Sequence, residues 1–131
     1  MTAGPTEPLI LVVDDDRNWS AALAAVLRHR GYRPVVAGDG QAALDMARSD
    51  RPDVVVLDLS MRGMDGMTFL RALRADGALA PVPVIVVTGR TGSGLIQQMA
   101  ALGVRHHFVK AGHSMGELLD AVRASLGPGP P

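Results

Sequence analysis

The sequence predicts an α/β domain on one parallel sheet, with five strands alternating strictly with five helices, and three observations carry that prediction. Short runs of continuous apolar residues, Leu9 to Val13, Val54 to Leu57 and Val84 to Val87, are bounded by Pro, Gly or Asp and do not alternate with polar residues. Strands covered by helices on both faces read this way. Helix-period stripes lie between the runs, an order that calls for parallel strands joined by right-handed crossovers. Aromatic residues are 3% of a chain that is 47% apolar, so the core must be filled by Val, Leu, Ile, Met and Ala, which suits β-branched strands under helices.

Two weaker strands complete the set. Arg33 to Ala37 alternates and contains Pro34, whose missing N–H suits an edge strand. His106 to Val109 reads as a fifth strand, also near an edge. The first helix carries the stripe Trp19, Leu23, Val26 and Leu27, with Asp16 placed to cap its start and Gly31 to end it. Ala43, Leu44 and Ala47 mark a second helix, and Phe69, Leu70 and Leu73 a third that begins near Asp65-Gly66. Leu95, Ile96, Met99 and Leu102 line a fourth, stopped by Gly103. The last helix has Leu118, Leu119, Val122 and Leu126, and Ser114 with Glu117 forms the pattern of a capping box.

A length of 131 residues is that of one domain. Residues 1–8 are expected to be a flexible N-terminal segment, 9–126 the folded unit, and 127–131 a flexible tail or linker stub. The net charge is zero and there is no stacking platform of aromatics, so direct nucleic-acid binding is not expected. The absence of cysteine excludes a disulfide framework and a thiolate metal site. Leu9 to Val13 is too short for a signal-peptide core or a membrane span and Met1 to Pro8 has no basic region, so a cytoplasmic location without membrane contact is expected.

The chemistry gathers at the strand ends. In an open parallel sheet, ligands bind outside the carboxyl ends of the strands. The first run ends in Asp14-Asp15-Asp16, the third in Asp58, the fourth in Thr88 and the fifth in Lys110. Carboxylates meeting at one rim repel, and they either protonate or gather a cation. Oxygen ligands alone, with positions left for water and phosphate, suit Mg²⁺. Thr88 offers a hydroxyl and Lys110 an ammonium, the groups that hold phosphoryl oxygens during in-line transfer. Lys110 is the only lysine, every other Lys/Arg position being arginine. A compact, rotatable ammonium kept at this one place points to geometry that a planar guanidinium would not meet.

The segments Leu11-Val12-Val13-Asp14-Asp15-Asp16, Val56-Leu57-Asp58-Leu59-Ser60-Met61 with Gly63-Met64-Asp65-Gly66, Val86-Val87-Thr88 and Phe108-Val109-Lys110 resemble the signature blocks of response-regulator receiver domains. They occur in the family's order and span the chain from Leu9 to Leu126. The resemblance implies a flavodoxin-like, doubly wound sheet of order 2-1-3-4-5, an order taken from the chemotaxis receiver of this family. It implies that Asp58 is the phosphoacceptor, that Asp14, Asp15, Asp58 and the backbone carbonyl of Ser60 hold Mg²⁺, and that Thr88 and Lys110 contact the phosphoryl group. The donor would be a sensor histidine kinase or a histidine phosphotransfer protein. The output would be a downstream protein contacting the face of the fourth helix, fifth strand and fifth helix, reshaped when Thr88 and an aromatic neighbour move. Such a chain catalyses only its own phosphorylation and dephosphorylation and is not an enzyme in the usual sense.

Four positions depart from the family pattern. Arg62 stands where a proline is usual, adding a cation that points into solvent or helps dock a partner. Gly89 follows Thr88 and leaves the acceptor more open. Ala111 replaces the proline after Lys110, and since a cis bond before a non-proline residue costs about 2.5–4 kcal/mol, a trans bond is expected there, with Gly112 and the Ser114 cap absorbing the change. His107 occupies the aromatic switch position, where its preference depends on protonation.

Asp16 and Asp65 read as helix caps before they read as ligands. His106, His107 and His113 make a poor metal cluster because adjacent strand residues face opposite ways. Met61, Met64 and Met67 read as loop and core filler, and Trp19 either as core or as a fluorescent reporter at the acidic rim. The departures support an alternative, a receiver-like interaction module that works without phosphorylation. A small phosphohydrolase would want a second acid shortly after the nucleophile, where Ser60 stands.

Overall fold

The structure is a computed structural model, and it describes residues 7–59, 65–89, 93–110 and 114–127. Ser60, Met61, Arg62, Met64, Ala111, Gly112 and His113 therefore lie outside the described residues. Ten elements alternate along the chain: β1 (Leu9–Val13), α1 (Arg17–His29), β2 (Arg33–Ala37), α2 (Gly40–Ser49), β3 (Val54–Leu57), α3 (Gly66–Ala75), β4 (Val84–Thr88), α4 (Ser93–Ala101), β5 (His106–Val109) and α5 (Met115–Ser125). The strands form one sheet of order β2-β1-β3-β4-β5, and every pairing is parallel. This is the doubly wound, flavodoxin-like arrangement of the resemblance.

The three continuous apolar runs occupy the centre. Every residue of β1, β3 and β4 is buried, as double-sided cover requires. Alternation along each strand divides their side chains between two apolar layers. Leu11, Val13, Val55, Leu57 and Val86 pack with Leu44, Phe69, Leu70, Leu73 and Met99 on the side of α2, α3 and α4. Ile10, Val12, Val56, Ile85 and Val87 pack with Leu23, Leu27, Leu118 and Val122 on the side of α1 and α5. β2 and β5 lie at the edges, and β2 carries Pro34 there.

The helix boundaries follow from local chemistry. Asp16, Asp39, Asp65 and Ser114 are N-caps whose side chains accept from Trp19 N, Ala42 N, Thr68 N and Glu117 N. Such bonds satisfy amides that have no partner inside the helix. Gly31 and Gly103 follow α1 and α4 with φ of 88° and 78°, the left-handed geometry that ends a helix. One expectation fails: Ile96 is 42% exposed, because α4 buries only Met99 fully among its described side chains.

Arg74 was not singled out by the sequence reading, yet it ties three segments together. Its guanidinium donates to Leu102 O at 2.7 Å, to Ala80 O at 2.9 Å and to Val82 O. Burial lowers its pKa from the ordinary arginine value, and the three carbonyls satisfy the donors that burial takes from water.

Gly66, the first residue of α3, is a point of close approach. A Cβ there would lie 2.5 Å from Asp58 O and 2.5 Å from Leu59 Cα. Both are backbone atoms and cannot swing aside. Gly66→Ala is expected to lower stability by about 1–3 kcal/mol, in the range of overpacked sites, read as a lower urea midpoint. An unchanged midpoint would show that α3 can move off β3 freely.

Candidate functional site at the carboxyl rim of the sheet

The rim is built by continuing the sheet's hydrogen bonds one step beyond the strands. Asp14 N donates to Ala37 O at 3.0 Å, Asp58 N to Val13 O at 2.9 Å, and Lys110 N to Thr88 O at 3.0 Å. The backbone of each is thus fixed by the ladder. Val13 and Leu57 point toward α2 and α3, so the residues that follow them, Asp14 and Asp58, turn toward the α1 and α5 side. Lys110 turns the same way, two residues beyond Phe108, which packs in the α1 and α5 layer.

One ligand oxygen from each of Asp14, Asp15 and Asp58 lies within 4.8 Å of the others. Asp14 and Asp58 are buried and Asp15 is exposed, so the cluster opens to solvent on one side. The Lys110 ammonium sits against it, 2.7 Å from Asp14 Oδ2 and 3.5 Å from Asp58 Oδ2. It lies closer to Asp14, and it also donates to Asp58 Oδ2, beside which the sequence reading places it. Asp14 Oδ1 accepts from Asp16 N at 2.9 Å. Asp14 Oδ2 is buried and has the Lys110 ammonium as its ionic partner.

Burial raises the Asp14 pKa above the carboxylate value of 3.8, and Asp58 adds to that while Lys110 and the Asp16 amide oppose it. For Lys110, burial disfavours the ammonium, but the hydrogen bond and charge of Asp14, with the charge of Asp58, outweigh it and hold the pKa above 10.5. One cation therefore faces three acids. Three carboxylates, two buried and one exposed, with oxygens within 4.8 Å of one another and an open side, make an oxygen donor set that fits a hard divalent ion.

Thr88 ends β4 with its side chain buried and its carbonyl bonded to Lys110 N. Its side chain leaves the sheet on the opposite face from Val87. His107 is exposed and pairs in register with Val86; His106, its neighbour, is half-buried. Asp16 and Asp65 act as caps, and the bond to Thr68 N lowers the Asp65 pKa. The Trp19 ring centroid lies 4.9 Å from Lys110 Nζ, a contact that the position of Trp19 near the rim hinted at but no sequence periodicity specifies.

Lys110→Met keeps the stem and removes the ammonium, leaving Asp14 buried without its counter-charge. The expected loss at neutral pH is about 1–3 kcal/mol, below the value for a fully buried pair because Lys110 is partly exposed. In the variant the folded-state pKa of Asp14 rises further above its unfolded value. The penalty is therefore full above that raised pKa and fades as pH falls toward 3.8. Urea unfolding of both proteins across this range measures it, and a pH-independent difference would mean that Asp14 is not the group left stranded.

Comparison with known proteins places this arrangement. The family described as "Response regulator receiver domain" matches residues 10–123. The DNA-binding response regulator MtrA of Mycobacterium tuberculosis is 39% identical over 117 residues, which cover 89% of this chain and 50% of that protein. Response regulator MprA of Mycobacterium avium is 39% identical over 118 residues, covering 89% of this chain and 50% of the relative. The chain thus spans about half the length of these relatives. Among solved structures, chemotaxis response regulator CheY4 of Vibrio cholerae superposes with a TM-score of 0.83 at 28% identity, covering 92% of this chain and 99% of that one. A response regulator receiver domain protein from Methanospirillum hungatei gives 0.86 at 20% identity over 92% and 94% of the two chains, a likeness of fold. With the family's pattern matched from Ile10 to Arg123, the chain belongs to the response-regulator receiver domains of two-component signalling.

Proposed function

We propose that the chain is a phosphorylation-controlled switch in which Asp58 accepts the phosphoryl group. The observation that carries this reading is the clustering of Asp14, Asp15 and Asp58 within 4.8 Å at the carboxyl rim of the sheet. An Asp58 carboxylate oxygen attacks phosphorus in line with the leaving group, while the Lys110 ammonium stands beside the oxygens on which negative charge accumulates. The Thr88 hydroxyl is the further donor to those oxygens. Asp14, Asp15, Asp58 and the Ser60 carbonyl would hold Mg²⁺, which when bound would supply positive charge against the carboxylate and phosphoryl oxygens.

The donor is a phosphohistidine on a sensor kinase or histidine phosphotransfer protein. The downstream partner, a protein, reads the face of α4, β5 and α5, with Thr88 and His107 as the switching pair. Support for this face comes from its surface. α4 has no charged residue, and Ile96 on α4 at 42% and Val109 on β5 at 37% are exposed, as is His107. DNA binding is part of the description of MtrA, twice the matched length; the neutral chain here acts through protein contacts. Receiver domains are signalling modules, and the only turnover proposed is of the chain's own aspartyl phosphate. Among the described residues no helix is long and apolar enough to cross a membrane.

Acetyl phosphate with Mg²⁺ is expected to add the mass of one phosphoryl group to the wild type, labile to hydroxylamine, and nothing to Asp58→Asn. Mg²⁺ alone should raise the thermal midpoint, by mass action worth about 2.7 kcal/mol at a hundredfold excess over Kd. Asp15→Asn, altering an exposed side chain, should lose most of that rise. A wild type that stays unmodified, or an Asp58→Asn variant modified equally, would end the proposal.

A further inference from the structure

The chain has one tryptophan and one lysine, and the fold stacks one on the other. Trp19 is the third residue of α1, half-buried against the layer of Leu23, Leu27 and Leu118. Its place is fixed by a closed circuit of contacts. The Trp19 amide donates to Asp16 Oδ1 at 3.1 Å, and the Asp16 amide donates to Asp14 Oδ1 at 2.9 Å. Asp14 Oδ2 lies 2.7 Å from Lys110 Nζ, and Lys110 Nζ lies 4.9 Å from the centre of the Trp19 ring.

Each member of the circuit limits the next. A lysine stem has four rotatable bonds, and its ammonium, whose side chain is 21% exposed, has solvent as an alternative to the rim. The negative face of an indole is the one apolar surface that also attracts a cation. It closes the side of the ammonium turned away from the acids. Leucine in the same place would fill space but offer no such attraction.

We propose that Trp19 is a positioning residue for phosphoryl transfer, its indole face holding the Lys110 ammonium at the rim between Asp14 and Asp58. The inference rests on Asp58 being the acceptor. With acetyl phosphate as donor, a carboxylate oxygen of Asp58 forms the new bond to phosphorus. The bond from phosphorus to the acetyl oxygen breaks, and acetate leaves with that electron pair. Lys110 keeps its proton throughout, so its contribution depends on where it stands. Loosening it slows the step without touching the nucleophile.

The test compares Trp19→Phe, which keeps an aromatic face, with Trp19→Leu, which keeps only apolar bulk. Rates of Asp58 modification by acetyl phosphate with Mg²⁺ are followed by mass, alongside thermal midpoints. Trp19→Phe is expected to stay close to wild type, and Trp19→Leu to react about 3- to 30-fold more slowly, the range set by cation–π attraction. A structural role alone would slow both or neither, and either result overturns the proposal. The wild type supplies an independent reading. Its single tryptophan emission should change with the rate constant of adduct formation, and an emission that stays flat while mass shows Asp58 modified also overturns it. If the wild type takes no phosphoryl group, the acceptor reading falls and this inference with it; if it does and Trp19→Leu keeps pace, only this inference falls.

Discussion

The charge imbalance at the rim is the constraint around which the site is organised: three carboxylates with oxygens within 4.8 Å and one ammonium among them. At a separation of 4 Å two unit charges repel by about 4 kcal/mol at an effective dielectric of 20. A fold optimised only for stability would not keep such a cluster, since one protonation or one substitution would relieve it. Burial is the main cause of the rise in the Asp14 pKa, and the charge of Asp58 adds to it. Lys110 relieves part of the repulsion, contacting both acids and standing closer to Asp14 than to Asp58. What remains among the described residues is an acidic cluster whose one exposed member is Asp15.

Such a cluster persists because the backbone beneath it has no freedom to spread. Asp14, Asp58 and Lys110 each continue a ladder of parallel hydrogen bonds, so separating the acids would break sheet pairing. α3 presses on the same place through Gly66, which sits against the backbone of Asp58 and Leu59. At the other end of α3, Arg74 bonds to carbonyls before β4 and before β5. The repulsion is thereby borne by about a hundred residues of cooperative packing and not by the loops that display the charges.

The fold was legible because its signals are local and repeated. Fully buried strands announce themselves as unbroken Val, Leu and Ile, and three of the four caps, Asp16, Asp65 and Ser114, are legible by residue type, while Asp39 is not singled out. The members of the site were legible for a related reason: strand ends are where a parallel sheet delivers polar side chains, and Asp14, Asp15, Asp58, Thr88 and Lys110 all stand there. Pairing within the site was not. Whether Lys110 favours Asp14 or Asp58 depends on side-chain direction across two intervening strands, and the sequence has no term for that. Ile96 misled because a helical stripe indicates which face is apolar but not whether a neighbour covers it. Gly66 stood out as part of a motif, yet its reason, close approach to the backbone of Asp58 and Leu59, is tertiary.

Unequal cover gives the domain a direction. α3 buries Gly66, Met67, Phe69, Leu70 and Leu73, whereas α4 fully buries Met99 alone among its described side chains. Elements with few buried contacts open at lower free energy than the core does. Lys110 joins the acidic rim to this loosely held side, because its amide is bonded to Thr88 and its chain continues β5, whose Val109 and His107 are exposed. Any change that draws the ammonium away from Asp14 therefore acts on the end of a four-residue edge strand. The densely packed α2 and α3 side has less room to answer than β5 and α4, so the two flanks of one sheet differ in how readily they would yield to a charge event at the rim.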